Sequence, residues 1–316
     1  MSTVYVLVEH TGSGLAATTA ELITAARPLG EVAAVVVGAP GVTQALAPAL
    51  AEAGAATVIA AESADVPERL ILPQVDALAT LAATNPGPIV ISAGVPGNEI
   101  AGRLAARLAS GVLCDVVGIN ADRTAAQSIF GDQVQVSAAV GGANPIFTLR
   151  AGAVEAAPVA AAGAVATLAL PAATAKDVTV TGFTPAERGS RPDLTQAKVV
   201  IAAGRGVGSR EGMELVEQLA DSLGGAVGVT RDAVDLEYYD GTYQIGQTGV
   251  TVSPDLYIGL GVSGAIQHTS GMQTAKKIIV VNNDEDAPIF QIADLGVVGD
   301  LFEVVPALIN EIDQRR

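Results

Sequence analysis

The residues best suited to chemistry lie between positions 244 and 283. There Asp255-Leu-Tyr-Ile258 runs into Gly259-Leu-Gly261-Val-Ser-Gly264, and Ala265-Ile-Gln-His268 follows directly. The next apolar run, 278–281, ends in Asn282, Asn283 and Asp284. Strand, glycine-rich turn, short helix and strand in that order can grip the pyrophosphate of a dinucleotide. The glycines let the backbone approach the phosphates, and polar residues about twenty positions on reach a ribose. The stretch also carries His268, one of two histidines in the chain.

A second turn, Gly204-Arg-Gly206-Val-Gly208-Ser209, sits between an expected strand and an expected helix. Its third glycine comes one residue too early for the dinucleotide fingerprint. It still offers backbone N–H groups and the cation Arg205 to a phosphate. Thr230-Arg231 follows another apolar run, at the carboxyl end of a strand, where ligands of open α/β sheets collect. Gln247 and Thr248 stand between Gly246 and Gly249, so their backbone can come close to a flat ring. A plainer reading also fits these glycines, as turns that need positive φ at several positions. His268 taken alone fits a packed side chain as well as a functional one.

These residues must be held by a large apolar framework. The chain has 316 residues, 50% of them hydrophobic, with mean hydropathy +0.44, so disorder is excluded and two domains are expected. Aromatic residues make up 3% and Trp is absent, which leaves Ala, Val, Leu and Ile to build the core. A net charge of -16 argues against nucleic-acid binding, which requires Lys and Arg against phosphate. An acidic surface keeps a protein soluble and can also steer a basic partner. The single Cys114 excludes an intramolecular disulfide, points to a reducing compartment, and reads as a small buried hydrophobe. The amino terminus lacks an export signal's basic region, so a cytoplasmic location is expected. The alanine-rich stretch 151–173 is interrupted by Glu155, Pro158 and Gly163 and is not read as a membrane span.

The first half alternates β-branched runs (4–8, 32–37, 56–60 and 89–91) with Ala/Leu helical patterns (18–26, 42–53, 72–83 and 99–108). That alternation predicts a parallel sheet covered on both faces. From about 127 to 181 the pieces shorten, as in 133–140 and 146–149, and predict a mixed or antiparallel edge. A Pro-, Gly- and charge-rich stretch, 184–195, reads as a hinge, giving an amino-terminal domain 1–187 and a second domain 188–316. The second restarts the pattern with strands at 198–203, 226–229, 256–258 and 278–281 and helices at 213–223 and 301–312. The fold class is α/β: two domains, each a mainly parallel sheet flanked by helices. His10-Thr-Gly12-Ser-Gly14 after the first strand matches no complete motif and reads as a plain loop.

Taken together, Gly204-Arg-Gly-Val-Gly-Ser209, Thr230-Arg231, Ile245-Gly-Gln-Thr-Gly249, Ser263-Gly-Ala-Ile-Gln-His268, Asn282, Ala287-Pro-Ile-Phe290 and Asp300-Leu301 resemble the carboxyl-terminal domain of the electron-transfer flavoprotein alpha subunit, in its order and spacing. The resemblance covers about 120 residues strongly, and the amino-terminal α/β pattern agrees with the family's first domain. It implies FAD as cofactor and makes the second domain the FAD-binding one. By position it implies Arg205 and Ser263, Gly264, Ala265, Ile266 and Gln267 around the phosphates and ribityl chain, and Asn282, Asp300 and Leu301 toward the adenosine end. It sets Thr248, with Gln247 beside it, near flavin N5, Arg231 against the isoalloxazine and His268 at its C2 carbonyl, and counts Thr230, Ile245 and Gly246 among the cofactor-binding residues. There His268 and Arg231 are expected as a cation or strong donor favouring negative charge on the reduced ring.

The family likeness further implies a heterodimer with a beta subunit holding AMP or a second FAD, the amino-terminal domain facing that partner. Electrons would come from acyl-CoA dehydrogenase-type flavoenzymes of fatty acid β-oxidation and leave to a membrane quinone reductase. The chain would be a carrier rather than an enzyme, without metal or membrane insertion. Two other readings stay open from the residues: an NAD-dependent oxidoreductase using the same GxGxxG, and a scaffold subunit without a ligand.

Overall fold

Residues 2–11, 14–129, 134–175, 177–182, 184 and 189–315 are described by a computed structural model. The chain divides into two compact units, Met1–Pro185 and Ala186–Arg316.

In the first unit, strands β1 (Thr3–Leu7), β2 (Glu31–Gly38), β3 (Thr57–Glu62) and β4 (Ile89–Ser92) alternate with helices α1 (Thr18–Ala26), α2 (Val42–Ala53), α3 (Leu72–Thr84) and α4 (Val95–Leu108). Strands β5 (Val112–Ile119), β6 (Thr124–Ile129), β7 (Val134–Ala139), β8 (Ile146–Leu149) and β9 (Ala164–Thr167) complete a nine-stranded sheet in the order β7-β6-β5-β8-β4-β1-β2-β3-β9. Its centre is parallel, while β6 and β7 pair antiparallel at one edge. Alternate residues of the central strands feed two cores. Val4, Val6, Ala34 and Val36 meet Leu22, Ile23, Leu46 and Leu50 on one face. Tyr5, Val35, Ile89 and Ile91 meet Val75, Leu78, Ile100 and Leu104 on the other. Both faces are therefore apolar, which is why these strands read as unbroken hydrophobic runs.

Several expectations shift on contact with tertiary structure. Helix α4 starts a turn before the expected residue 99, with Pro96 in its first turn, where a missing N–H costs nothing. The alanine-rich stretch adds the short exposed strand β9 to the sheet edge. Cys114 is exposed on β5, so the expectation of a buried thiol is corrected: a β-bulge between Leu113 and Val116 breaks the inward–outward alternation there. His10 sets a ring nitrogen 3.0 Å from the Val37 carbonyl, while Gly12 and Ser13 lie outside the described residues. So do residues 185–188 of the expected hinge. Among the described residues no helix is long and apolar enough to cross a membrane.

The second unit is a parallel five-stranded sheet of β10 (Val199–Ala203), β11 (Ala226–Val229), β12 (Leu256–Leu260), β13 (Ile278–Asn282) and β14 (Leu295–Val298), ordered β11-β10-β12-β13-β14. Helices α5 (Gly212–Leu223), α6 (Arg231–Asp235) and α8 (Leu301–Gln314) put Val216, Leu219, Ala233, Leu301 and Val305 on one face. The other face is closed by loops through Ile245, Val252, Met272 and Ile289, and the four-residue helix α7 (Ile266–Thr269) brings His268 to Tyr257 there. The chain steps from β10 outward to β11, then returns past β10 to β12. The strand order therefore reverses between β10 and β12, and a crevice opens there at the carboxyl ends.

Arg69 fastens the end of the first unit. The residue is 7% exposed, and its guanidinium lies 2.7 Å from Asp76, 2.9 Å from Asp177 and 3.0 Å from the Pro171 carbonyl. Removing one partner of such a buried group strands the rest. Arg69→Met is expected to destabilise this unit by about 3 kcal/mol, with partial recovery when Asp177→Asn is added. Urea unfolding of the three chains checks both outcomes.

Candidate functional site

The crevice of the second unit holds a cavity of about 600 Å³. Its walls are turns that leave successive strands: Gly204 follows β10, Thr230 follows β11, Gly261 follows β12, and Asn282 ends β13. Parallel strands deliver all their carboxyl ends to the same edge, so residues far apart in sequence meet there.

Two glycine turns touch backbone to backbone. The Gly206 N–H donates to the Gly261 carbonyl at 3.1 Å, and the Gly204 N–H donates to the Leu260 carbonyl at 2.9 Å. A Cβ on Gly261 would stand 2.6 Å from the Gly206 Cα, and one on Gly204 would stand 2.3 Å from the Gly261 oxygen. No side chain fits either place. Gly261 and Gly264 also have φ of +60° and +90°. Gly259 has another role: it lies inside β12, so the first glycine of the fingerprint is a strand residue and the turn itself begins at Gly261. The segment 244–250 folds as tightly, with the Gly246 N–H donating to the Val250 carbonyl and the Gln247 N–H to the Gln267 carbonyl at 2.7 Å.

Of the expected site residues, Arg205, Thr230, Arg231, Ile245, Thr248, Ser263, Ala265, Gln267, His268 and Asn282 line this cavity. Asp300 and Leu301 line a smaller hollow of about 40 Å³, which shares Gly206, Gly261 and Asn283 with the larger one. Gly246, Gln247, Gly264 and Ile266 belong to the same turns but do not line it. Arg205 and Arg231 are exposed, and Arg231 lies 3.4 Å from Asp235 one helical turn on. Thr230 caps α6 by accepting from the Ala233 N–H, which leaves its own proton free to donate. Thr248 accepts from the Gln244 amide at 2.8 Å. Asn282 is committed to the protein: its amide donates to the Val262 carbonyl at 2.8 Å and its oxygen accepts from the Asp284 N–H at 3.0 Å. It braces the glycine turn from behind. Asp232 also lines the cavity and carried no motif; Gln244, Asn283, Asp284 and Pro288 line it too and stand in the stretches already picked out by spacing or resemblance.

The surroundings of His268, expected as a cation or strong donor, favour the uncharged ring. The side chain is 5% exposed. Nδ1 lies 3.1 Å from the Ile245 carbonyl, and Nε2 lies 2.7 Å from the Tyr257 hydroxyl. Burial pushes the imidazole down to about 4, against a partial opposing pull from the Ile245 carbonyl, so the ring is neutral at pH 7. Tyr257 went unnoticed in the sequence. Its signal was a phenol inside an apolar strand, which needs a partner for its O–H.

The folded pKa of His268 lies below its ordinary 6.5. The unfolded chain therefore binds more protons between pH 6.5 and 4, and stability falls as pH drops through that window. Wild type is expected to lose up to about 3 kcal/mol more than His268→Gln across it, measured as the shift in urea midpoint.

Comparison with known proteins agrees with this geometry. A family model described as "Electron transfer flavoprotein domain" matches residues 4–175, and one described as "Electron transfer flavoprotein FAD-binding domain" matches residues 193–273. The chain is 55% identical over 317 residues to the electron transfer flavoprotein subunit alpha of Mycobacterium tuberculosis, covering 100% of both chains. It is 53% identical to the subunit alpha of Mycobacterium leprae, again over 100% of both. With the subunit alpha of Paracoccus denitrificans it shares 39% identity over 93% of this chain and 94% of the relative. A glycine-backed cavity at a strand-order reversal, within a chain matched end to end by these relatives, identifies the protein as a member of the electron transfer flavoprotein alpha-subunit family.

Proposed function

We propose that the chain binds FAD in the cavity of its second unit and serves as the alpha subunit of a heterodimeric electron-transfer flavoprotein. The observation that carries this reading is the cavity itself. Its lining from Gly204 to His268 lies in the region matched by the FAD-binding domain model, between glycine turns that admit no Cβ and beside two exposed arginines.

The residues present fit a flavin dinucleotide. Two turns with no side chains leave room for a pyrophosphate against the backbone, and Arg205 beside them supplies charge-assisted hydrogen bonds. Ser263, Ala265 and Gln267 follow the second turn, toward the phosphates and ribityl chain. The Asp300–Leu301 hollow adjoins the cavity and suits the adenosine end, with Asn282 holding the intervening loop. Thr230, Arg231 and the 245–248 turn face the flat ring, where Arg231 is the cation available to negative charge and Thr248 can donate its hydroxyl proton. Gly246 and Gly264 let these turns close on neighbouring backbone, and Ile266 opens helix α7 beside them. FAD supplies the redox chemistry when bound; the protein binds it, orients it and tunes its surroundings.

In this role the chain is a carrier. It takes electrons from flavin dehydrogenases of the acyl-CoA dehydrogenase type and passes them to a membrane quinone reductase or a similar acceptor, in the cytoplasm. Residues 1–187 form the domain that meets a beta subunit carrying AMP or a second FAD, and 188–316 form the flavin domain.

A chain purified with a co-expressed beta-type subunit is expected to be yellow, with a flavin absorption spectrum and one FAD retained in this unit. Colourless protein that takes up no FAD on reconstitution would overturn the reading. Arg205→Ala should weaken FAD binding about 10- to 100-fold, the loss of one charge-assisted hydrogen bond. Gly261→Ala should abolish flavin retention after gel filtration, because the added methyl forces the two turns apart.

A further inference from the structure

Gln244 lines the cavity, yet its backbone belongs to the sheet. Its N–H donates to the Gly241 carbonyl at 3.1 Å, and its carbonyl accepts from the Val250 N–H at 2.8 Å. The next N–H, of Ile245, donates to the Val229 carbonyl at 2.9 Å, at the end of β11. Gly249 closes over Gln244 from the far side of the turn. A Cβ there would stand 2.1 Å from the Gln244 oxygen and 3.1 Å from its Cβ. The side chain therefore leaves a fixed point. It is half-buried, and its amide Nε2 donates across the turn to Thr248 Oγ1 at 2.8 Å. Thr248 is exposed and also lines the cavity. Its hydroxyl carries one proton and two lone pairs, and the amide takes a lone pair. Among the described residues no protein group accepts the remaining proton. A hydroxyl that accepts one hydrogen bond donates the next more strongly, and the amide's own protons repel that proton from its side.

We infer that Gln244 is a positioning residue of this site, whose side-chain amide turns the Thr248 hydroxyl into a directed donor toward an acceptor atom of the bound flavin ring. Gln244 acts through Thr248 and needs no contact with the ring. A glutamine suits the task because its amide is uncharged and keeps its N–H donors at every working pH. A carboxylate of the same length could only accept, and would draw the hydroxyl proton to itself. The inference rests on the FAD reading for the identity of the acceptor, and on hydrogen-bond geometry for the amide and hydroxyl.

The test is a double-mutant cycle on FAD binding, read by flavin fluorescence on the full chain with its beta-type subunit. Gln244→Ala should raise the FAD dissociation constant about fivefold. In a Thr248→Val background the same change should shift it by less than about twofold. With Thr248→Ser, which keeps the hydroxyl, the effect of Gln244→Ala should return. Gln244→Glu should weaken binding as much as Thr248→Val does. An undiminished Gln244→Ala effect in the Val background overturns the inference, and so does a Gln244→Glu chain that binds like wild type. The hydrogen bond itself is read without flavin, by NMR of the full chain labelled with 15N in its glutamine side chains, Gln244→Ala assigning the signal. Wild type is expected to show one Gln244 amide proton shifted downfield, and Thr248→Val should move it back. An amide signal that Thr248→Val leaves in place overturns the inference whatever the flavin does. Wild type that takes up no FAD fails the flavin reading and the inference with it, whereas an additive cycle or an unmoved amide fails the inference alone.

Discussion

The second unit depends on one close contact: the backbone of the 204–206 turn lying directly on that of the turn at Gly261. With a would-be Cβ only 2.6 Å from the neighbouring Cα, both positions require glycine. That contact brings the ends of β10 and β12 to the same depth, and the Gly206 to Gly261 hydrogen bond fixes their offset. Around it the other walls follow. Asn282 braces the turn through the Val262 carbonyl, Ile289 packs beneath Gly264, and the 244–250 turn rests against the start of α7. A wider separation would lose the cradle even if every polar side chain stayed in place.

The electrostatics of the site run against those of the chain. The protein carries a net charge of -16, yet two arginines stand at the cavity. His268, which a sequence reader would count as a third cation, is neutral because burial removes the water that would solvate its charge. The site therefore separates its tasks. Exposed guanidinium groups supply positive charge and planar donors, while the buried imidazole and phenol give the wall its shape.

Much of this was legible beforehand because parallel sheets write a plain pattern. Strands buried on both faces show unbroken β-branched runs, so β1 to β4 and β10 to β13 could be found to within a few residues. The edge elements were harder. β9 lies in an alanine-rich stretch and β14 is short and exposed, and neither the period nor the propensity of such pieces marks a strand. In the site, glycine turns and their polar neighbours could be read from spacing. Asp232 could not, since it reaches the cavity only because strand ends gather there.

By itself the sequence determined the α/β architecture, the two glycine turns and the polar residues that follow them, because these depend on local periodicity and on backbone freedom. Tertiary structure decided which residues share a cavity and what state they are in. It placed Gly259 in a strand rather than a turn and exposed Cys114 through a bulge. It also made His268 neutral by setting it between Tyr257, eleven residues away, and Ile245, twenty-three residues away. Proton position and charge follow from desolvation and from hydrogen-bond partners distant in the chain, and only the folded chain brings those together.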